Sequence, residues 1–219
     1  MATQTESSSR DSILGRIRAG LRVVPHSAPP AESERPIFED INNPLERFQQ
    51  ECVANLTECT LTSDLAASAR QLATVLQSLP SGSIFVQDDP ALRRLIDIAA
   101  PGRTIRWSSE GAPQESSQAT VTRAEALIAQ TGSILVTASC GGRGASIVAP
   151  CHIVLATMDQ LVPDLTTALR HVSQQQLLNS NSFACIISGS SRTADIEKIL
   201  VQGAHGPRRL VVILQSGPA

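Results

Sequence analysis

The sequence predicts an α/β fold built on a mostly parallel sheet covered on both faces. Two observations carry this. Apolar runs of strand length alternate with helix-period segments from residue 43 onward. Several of those runs, SILVTA, HIVLAT and LVVIL, are apolar at nearly every position, as strands buried on both faces are. No repeat of 20–50 residues interrupts the pattern.

Taken in order, the first ten residues are polar and predict no fixed structure. The segment RDSILGRIRAGLR then places Ile13, Leu14, Ile17 and Leu21 on one helical face, with Arg16, Arg18 and Arg22 around it. Asp11 or Ser12 can cap it. Pro25, Pro29, Pro30 and Pro36 mark a linker that cannot be helical throughout. Residues 1–36 thus read as a flexible segment with a short amphipathic helix, able to dock on the chain's own domain or on a partner.

From there, residues 44–56 predict a helix and residues 59–62 a short strand. Ser63 is placed to cap a helix whose Leu65, Ala69, Leu72, Leu76 and Leu79 share a face. Residues 83–87 read as a strand, and Asp88 or Asp89 caps a helix starting at Pro90. Residues 104–107 predict a strand, 111–118 a polar loop and 122–130 a short helix. Residues 133–138 and 152–157 predict buried strands. Leu161, Leu165, Ala168, Leu169 and Val172 recur at helical spacing. Residues 184–187 predict a strand, 194–202 a helix ended by Gly203, and 210–214 the last strand.

Composition narrows the function. The 219 residues can bury roughly 70% of the unfolded surface, so no disulfide or structural metal is needed. The net charge of −2 excludes strong global attraction to nucleic acid or anionic membrane, and an aromatic content of 2% excludes a base-stacking platform. Cys52, Cys59, Cys140, Cys151 and Cys185 form no C-x-x-C pair, so iron–sulfur and zinc-ribbon spacings are absent. With no dinucleotide fingerprint either, the chain is expected to carry no metal, flavin or other cofactor. Scattered thiols, no apolar leader and no apolar run of membrane length predict a cytoplasmic location with no transmembrane segment.

Two loops are chemically loaded. In SCGGRG, Gly141, Gly142 and Gly144 let backbone N–H groups approach a ligand, Ser139 is a further ligand-binding candidate, and Arg143 adds a guanidinium. Cys140 beside them is a reactive thiol if its pKa is lowered there. In SGSSRTADIE, Ser190, Ser191 and Thr193 supply hydroxyls and Arg192 a second guanidinium, with Thr193 placed to cap the following helix. Plain capping, with Arg192 pairing to Asp195 or Glu197, is the simpler alternative. Both loops follow predicted parallel strands. They are therefore expected at one sheet edge, with Arg143 and Arg192 converging on a carboxylate or phosphate. His205 in GAHGP is a further candidate, whereas His152 opens an apolar strand and reads as structural.

At these same segments the chain resembles the lactate-utilisation protein C family, the stand-alone LUD-domain proteins. Val121, Thr122, Ala124, Ile128, Ala129, Thr131 and Gly132 match one family run. Pro150, His152, Ile153 and Val154 match a second, with Val162, Pro163 and Leu165 in the next helix. Gly189 and Ser191 to Glu197 match a third, with Ser190 where the family has Pro. Gly203, His205, Gly206 and Pro207 complete it. The resemblance implies a three-layer α/β/α fold like the glucosamine-phosphate isomerase and CoA-transferase superfamily, with residues 37–216 as the LUD domain. It implies a part in oxidising L-lactate to pyruvate beside iron–sulfur partner subunits. Gln130 stands where the family has Glu, and Gln cannot act as a general base. The resulting expectation is a subunit of a lactate-oxidising complex with a small anionic ligand. The alternatives are a free-standing enzyme on a phosphorylated or CoA-linked metabolite, by fold analogy, and a scaffold whose N-terminal helix grips a partner.

Overall fold

The structure, a computed structural model, describes residues 4–23, 40–112, 116–193, 201–203 and 206–217. The chain divides into two units, Met1–Glu39 and Asp40–Ala219. The first contains helix α1 (Gln4–Val23). It begins well before the segment the apolar spacing marked, so the polar residues from Gln4 onward continue the same helix.

The second unit runs α2 (Pro44–Ala54), β1 (Thr57–Thr62), α3 (Leu65–Gln77), β2 (Ile84–Val86), α4 (Pro90–Ala99), β3 (Ile105–Trp107), β4 (Ala119–Arg123), β5 (Ala126–Ile128), β6 (Ser133–Thr137), β7 (Cys151–Thr157), β8 (Leu161–Val162), α5 (Leu165–Gln174), α6 (Leu177–Ser180), β9 (Ala184–Ile187), β10 (Arg192–Thr193), β11 (Val201–Gln202) and β12 (Arg209–Gln215). Six strands form one parallel sheet in the order β1-β12-β7-β4-β2-β3. The α/β class with a mostly parallel sheet is as the sequence predicts.

Alternation sorts the side chains of this sheet. Ala119, Val121, Ile153, Leu155, Val211 and Ile213 face α3 and α4, where Leu72, Leu76, Leu92 and Leu95 meet them. Val154, Ala156, Val212 and Leu214 face the opposite way, onto Phe48 and Cys52 of α2 and onto Ile134 and Val136. This second face is thus covered partly by another sheet, in the order β8-β5-β6-β9, in which β6 runs antiparallel to both its neighbours. Ala168 and Val172 of α5 close the outer side of that sheet.

The helices start where short polar caps stop the preceding loop. Asn43, Asp64, Asp89 and Asp164 each accept a first-turn N–H, and Pro44 and Pro90 open α2 and α4. The cap of α3 is Asp64 rather than Ser63, whose hydroxyl instead donates to Asp64 Oδ2.

Other expectations need correction. Residues 122–130 are not a helix: they end β4 and form β5, because Thr120 and Thr122 sit on one buried face of a central strand and Ala119 and Val121 on the other. Residues 133–137 and 184–187 are strands, but they lie side by side and antiparallel in the second sheet. Leu161 belongs to β8, and Leu169 is 51% exposed, so the α5 stripe is narrower than its spacing suggests. Val201 and Gln202 pair with Arg192 and Thr193 as strands, so no helix runs to Gln202. Residues 194–200, the rest of that expected helix, lie outside the described residues.

Candidate functional site

The residues of three motif segments meet near the N-terminal ends of β1 and β12. The Ser191 N–H donates to the Pro207 carbonyl at 2.8 Å, and the Gly203 N–H donates to the Ser191 carbonyl at 2.8 Å. The 188–193 loop and the turn before β12 are thereby stitched together. Facing them is the turn between β5 and β6. Thr131 and Ser133 hydroxyls bond at 2.7 Å, and Ser133 bonds the Ser188 hydroxyl at 2.6 Å. Asn55, just past α2, ties both sides: its Nδ2 donates to the Thr131 carbonyl at 2.8 Å, and its own carbonyl accepts from Arg192 Nη2 at 3.4 Å.

Two glycines make this approach possible. Gly132 has φ +60°, and a Cβ there would stand 2.8 Å from the Glu51 carbonyl carbon and 2.9 Å from the Cys52 nitrogen. Gly189 has φ +79°, and its Cβ would run into the Asn55 carbonyl oxygen. Both conformations favour glycine, and neither site has room for a side chain. Ser190 is buried, while Arg192 is exposed with its guanidinium anchored at one nitrogen. Thr193 is paired to Val201, and residues 194–200, the start of the helix it was placed to cap, lie outside the described residues. His205, and the carboxylates Asp195 and Glu197, lie outside the described residues.

The glycine-rich loop lies elsewhere. It leaves the other end of β6, where Ser139 and Thr137 hydroxyls donate to Glu125 Oε1 at 3.1 and 2.7 Å, and the Ser139 N–H donates to Asn181 Oδ1 at 2.8 Å. A Cβ at Gly141, where φ is +107°, would stand 2.7 Å from the Phe85 ring, and Gly142, at φ +87°, opens the next turn. Arg143 lies over the Phe183 ring, 5.4 Å from its centroid. Cys140 is buried, and desolvation pushes its thiol up to about 11, which removes it as a ready nucleophile.

The expected convergence of the two arginines therefore fails. In the β6–β9 pair Thr137 stands beside Ala184 and Ile134 beside Ile187. The loop after β6 lies where β9 begins, and the loop after β9 lies where β6 begins. Arg143 and Arg192 leave opposite ends of a ladder about 10 Å long.

A third location escaped the sequence reading. At the C-terminal edge of the parallel sheet, a cleft opens between the first turns of α3 and α4. Leu155, Ala156 and Thr157 floor it, Leu65 and Ala91 wall it, and Arg123 and Gln215 border it. Arg123 Nη1 bonds Asp89 Oδ2 at 3.2 Å, while Asp89 Oδ1 accepts the Ala91 and Leu92 N–H groups at 2.8 and 3.2 Å. Gln87 Oε1 accepts the Arg123 N–H at 2.8 Å. With residues 122–130 read as helical, nothing marked Arg123 as a strand-end cation.

His152 lies in the core and Gln130 is half-buried. His152 is fully buried, with one ring nitrogen bonded to the Thr122 hydroxyl at 2.8 Å, and burial lowers its pKa to about 4. The Gln130 N–H donates to the Pro163 carbonyl at 2.9 Å, and its buried Oε1 has no partner among the described residues. No group of three metal-ligating side chains occurs among the described residues, and no described helix is long and apolar enough to cross a membrane.

Residues 112–215, which hold all three locations' strand ends from β4 onward, match the LUD domain family model. This segment of the chain is similar to a LUD domain. Among curated relatives, "Lactate utilization protein C" of Macrococcus caseolyticus is 26% identical over 179 residues, covering 78% of this chain and 77% of that protein. Its namesake in Bacillus subtilis is 26% identical over 193 residues, covering 77% of each chain. The namesake in Deinococcus radiodurans reaches 32% over 126 residues, covering 53% of this chain and 58% of its own. A crystal structure of a DUF162 family protein from Deinococcus radiodurans has the same fold, with a TM-score of 0.58 at 20% identity, over 78% of this chain and 95% of that one. Of the segments that matched by motif, Thr131 and the Gly189–Arg192 stretch meet at Asn55.

Proposed function

We propose that this chain is a LUD-domain protein that serves lactate utilisation as an accessory subunit beside iron–sulfur partners, and that it holds a small carboxylate or phosphate. The names of the curated relatives support the process. The observation that carries the ligand is the meeting of Thr131–Ser133 and the 188–193 loop at Asn55, with the Thr131, Ser133 and Ser188 hydroxyls in one chain and Arg192 exposed on the Asn55 carbonyl. A guanidinium with neighbouring hydroxyls and backbone N–H groups suits a planar anion. In this reading Ser190, Ser191 and Arg192 contact the anion. Ser139, Gly141, Gly142 and Arg143 belong to a separate surface, available to a partner.

The cleft at the strand ends does not suit the same ligand, because it has room for little more than a water, its lining is almost wholly apolar, and Arg123 at its border is paired with Asp89. Titration calorimetry with L-lactate, pyruvate and phosphate tests the motif cluster. Arg192→Ala weakens binding and Arg123→Gln leaves it unchanged if the cluster holds the anion, and no binding by the wild-type protein removes the ligand from the account.

A further inference from the structure

All five cysteines are free, and two of them, Cys52 and Cys59, share one packed cluster. Cys52 lies in the last turn of α2 and is completely buried. Cys59 lies on β1 and is partly buried, on the face that α2 covers. Both belong to the cluster that packs α2 against the parallel sheet. Only Asn55 and Leu56 separate α2 from β1, and Leu56 takes a left-handed φ of +57°, so the chain folds straight back on itself. This tight return places both cysteines in the layer where α2 packs on β1.

We propose that Cys52 and Cys59 are a reversible dithiol–disulfide site, and that closing it fixes the end of α2 that carries Asn55. The inference is independent of the proposed role in lactate utilisation. The oxidant is a small dialkyl disulfide such as oxidised glutathione. The Cys59 thiolate attacks one sulfur of the oxidant, forming a mixed disulfide and releasing one thiol. Cys52 then attacks the Cys59 sulfur, closing the protein disulfide and releasing the second thiol. The two protons lost by the protein thiols end on the two released thiols, and two electrons pass from protein to oxidant. The order follows from exposure, because Cys59 is the accessible member. It also follows from the pair's ionisation. A hydrogen bond from Cys52 favours the Cys59 thiolate and lowers its pKa, while that charge and burial push Cys52 up. Once Cys59 is capped, that charge no longer opposes Cys52.

The bridge would tie the turn on which the candidate site hangs. Asn55, three residues past Cys52, holds Thr131 and Arg192, and Gly132 rests on the Glu51–Cys52 backbone. Oxidation therefore acts on the anchor of Arg192 without touching Arg192.

Trypsin cuts after Arg47 and Arg70, so one peptide carries both cysteines and no other. The folded full-length protein is equilibrated with oxidised glutathione, alkylated, digested and weighed. The expected result is a 48–70 peptide about 2 Da lighter than its reduced form, restored by dithiothreitol. In Cys59→Ser the expected result is an unmodified Cys52, and in Cys52→Ala a Cys59 arrested as the glutathione adduct. Retention of both thiols in the wild-type peptide overturns the proposal. So does a bridge between the Cys140 and Cys185 peptides instead, or glutathione on Cys52 in the folded Cys59→Ser protein. If Cys52→Ala fails to fold, the wild-type and Cys59→Ser results stand by themselves.

Discussion

Arg143 and Arg192 lie beyond opposite ends of the antiparallel β6–β9 pair, because Thr137 is in register with Ala184 and Ile134 with Ile187. Two guanidinium groups so placed cannot clamp one small anion. Arg192→Ala is expected to weaken phosphate or carboxylate binding by roughly ten- to a hundred-fold, the worth of one charge-assisted contact. Arg143→Ala is expected to leave it unchanged, and the double variant to show no coupling energy. Calorimetry on the four proteins checks this, and strong coupling would restore the shared pocket.

The glycine at 132 is required twice over, by its left-handed φ and by the Glu51–Cys52 backbone behind it. Gly132→Ala is expected to cost about 1–3 kcal/mol. Asn55→Ala, which loses only the bond to the Thr131 carbonyl, is expected to cost about 1 kcal/mol. Urea unfolding of both variants should rank them in that order.

His152 gives the fold an acid sensitivity. Above pH 6.5 the ring is neutral whether the chain is folded or not. Between 6.5 and about 4 the unfolded chain takes up a proton that the buried ring refuses, so stability falls as pH falls. The loss sums to roughly 3 kcal/mol and levels off below about pH 4. His152→Leu is expected to flatten this part of the stability–pH curve. An unchanged slope in the variant would assign the acid sensitivity to other groups.

Asp89 separates two roles that share one carboxylate. Asp89→Ala removes both the cap of α4 and the partner of Arg123, and is expected to cost about 1 kcal/mol. Asp89→Asn keeps a good cap and loses only the partly exposed ion pair, so its stability is expected to stay close to wild type. Thermal denaturation of the pair tests the assignment.

Much of the fold was legible because central parallel strands leave a strong mark. Residues 153–156 and 210–214 are apolar throughout, and both strands lie inside the large sheet. Strand direction leaves no such mark. The apolar run Ser133–Thr137 reads the same whether its neighbours are parallel or antiparallel, and its place in a second sheet moved the glycine-rich loop away from Arg192. The strand Ala119–Arg123 was hidden for another reason. Its buried Thr120 and Thr122 face the second sheet, and the alanines that follow mimic a helical period. Arg123 was lost with it. Asn55 carried no signal, since its part in the site rests on a side chain and a carbonyl meeting segments 76 and 137 residues away.

Co-purification tests the central claim most directly. The tagged full-length protein is drawn from its native cell grown on L-lactate, and the eluate is assayed for iron and for L-lactate-dependent dye reduction. The account predicts that iron-bearing subunits elute with the chain, and that lactate oxidation by the reconstituted complex falls when the chain is omitted or carries Arg192→Ala. A chain that elutes without iron, from cells whose lactate oxidation is unchanged by its removal, would contradict it.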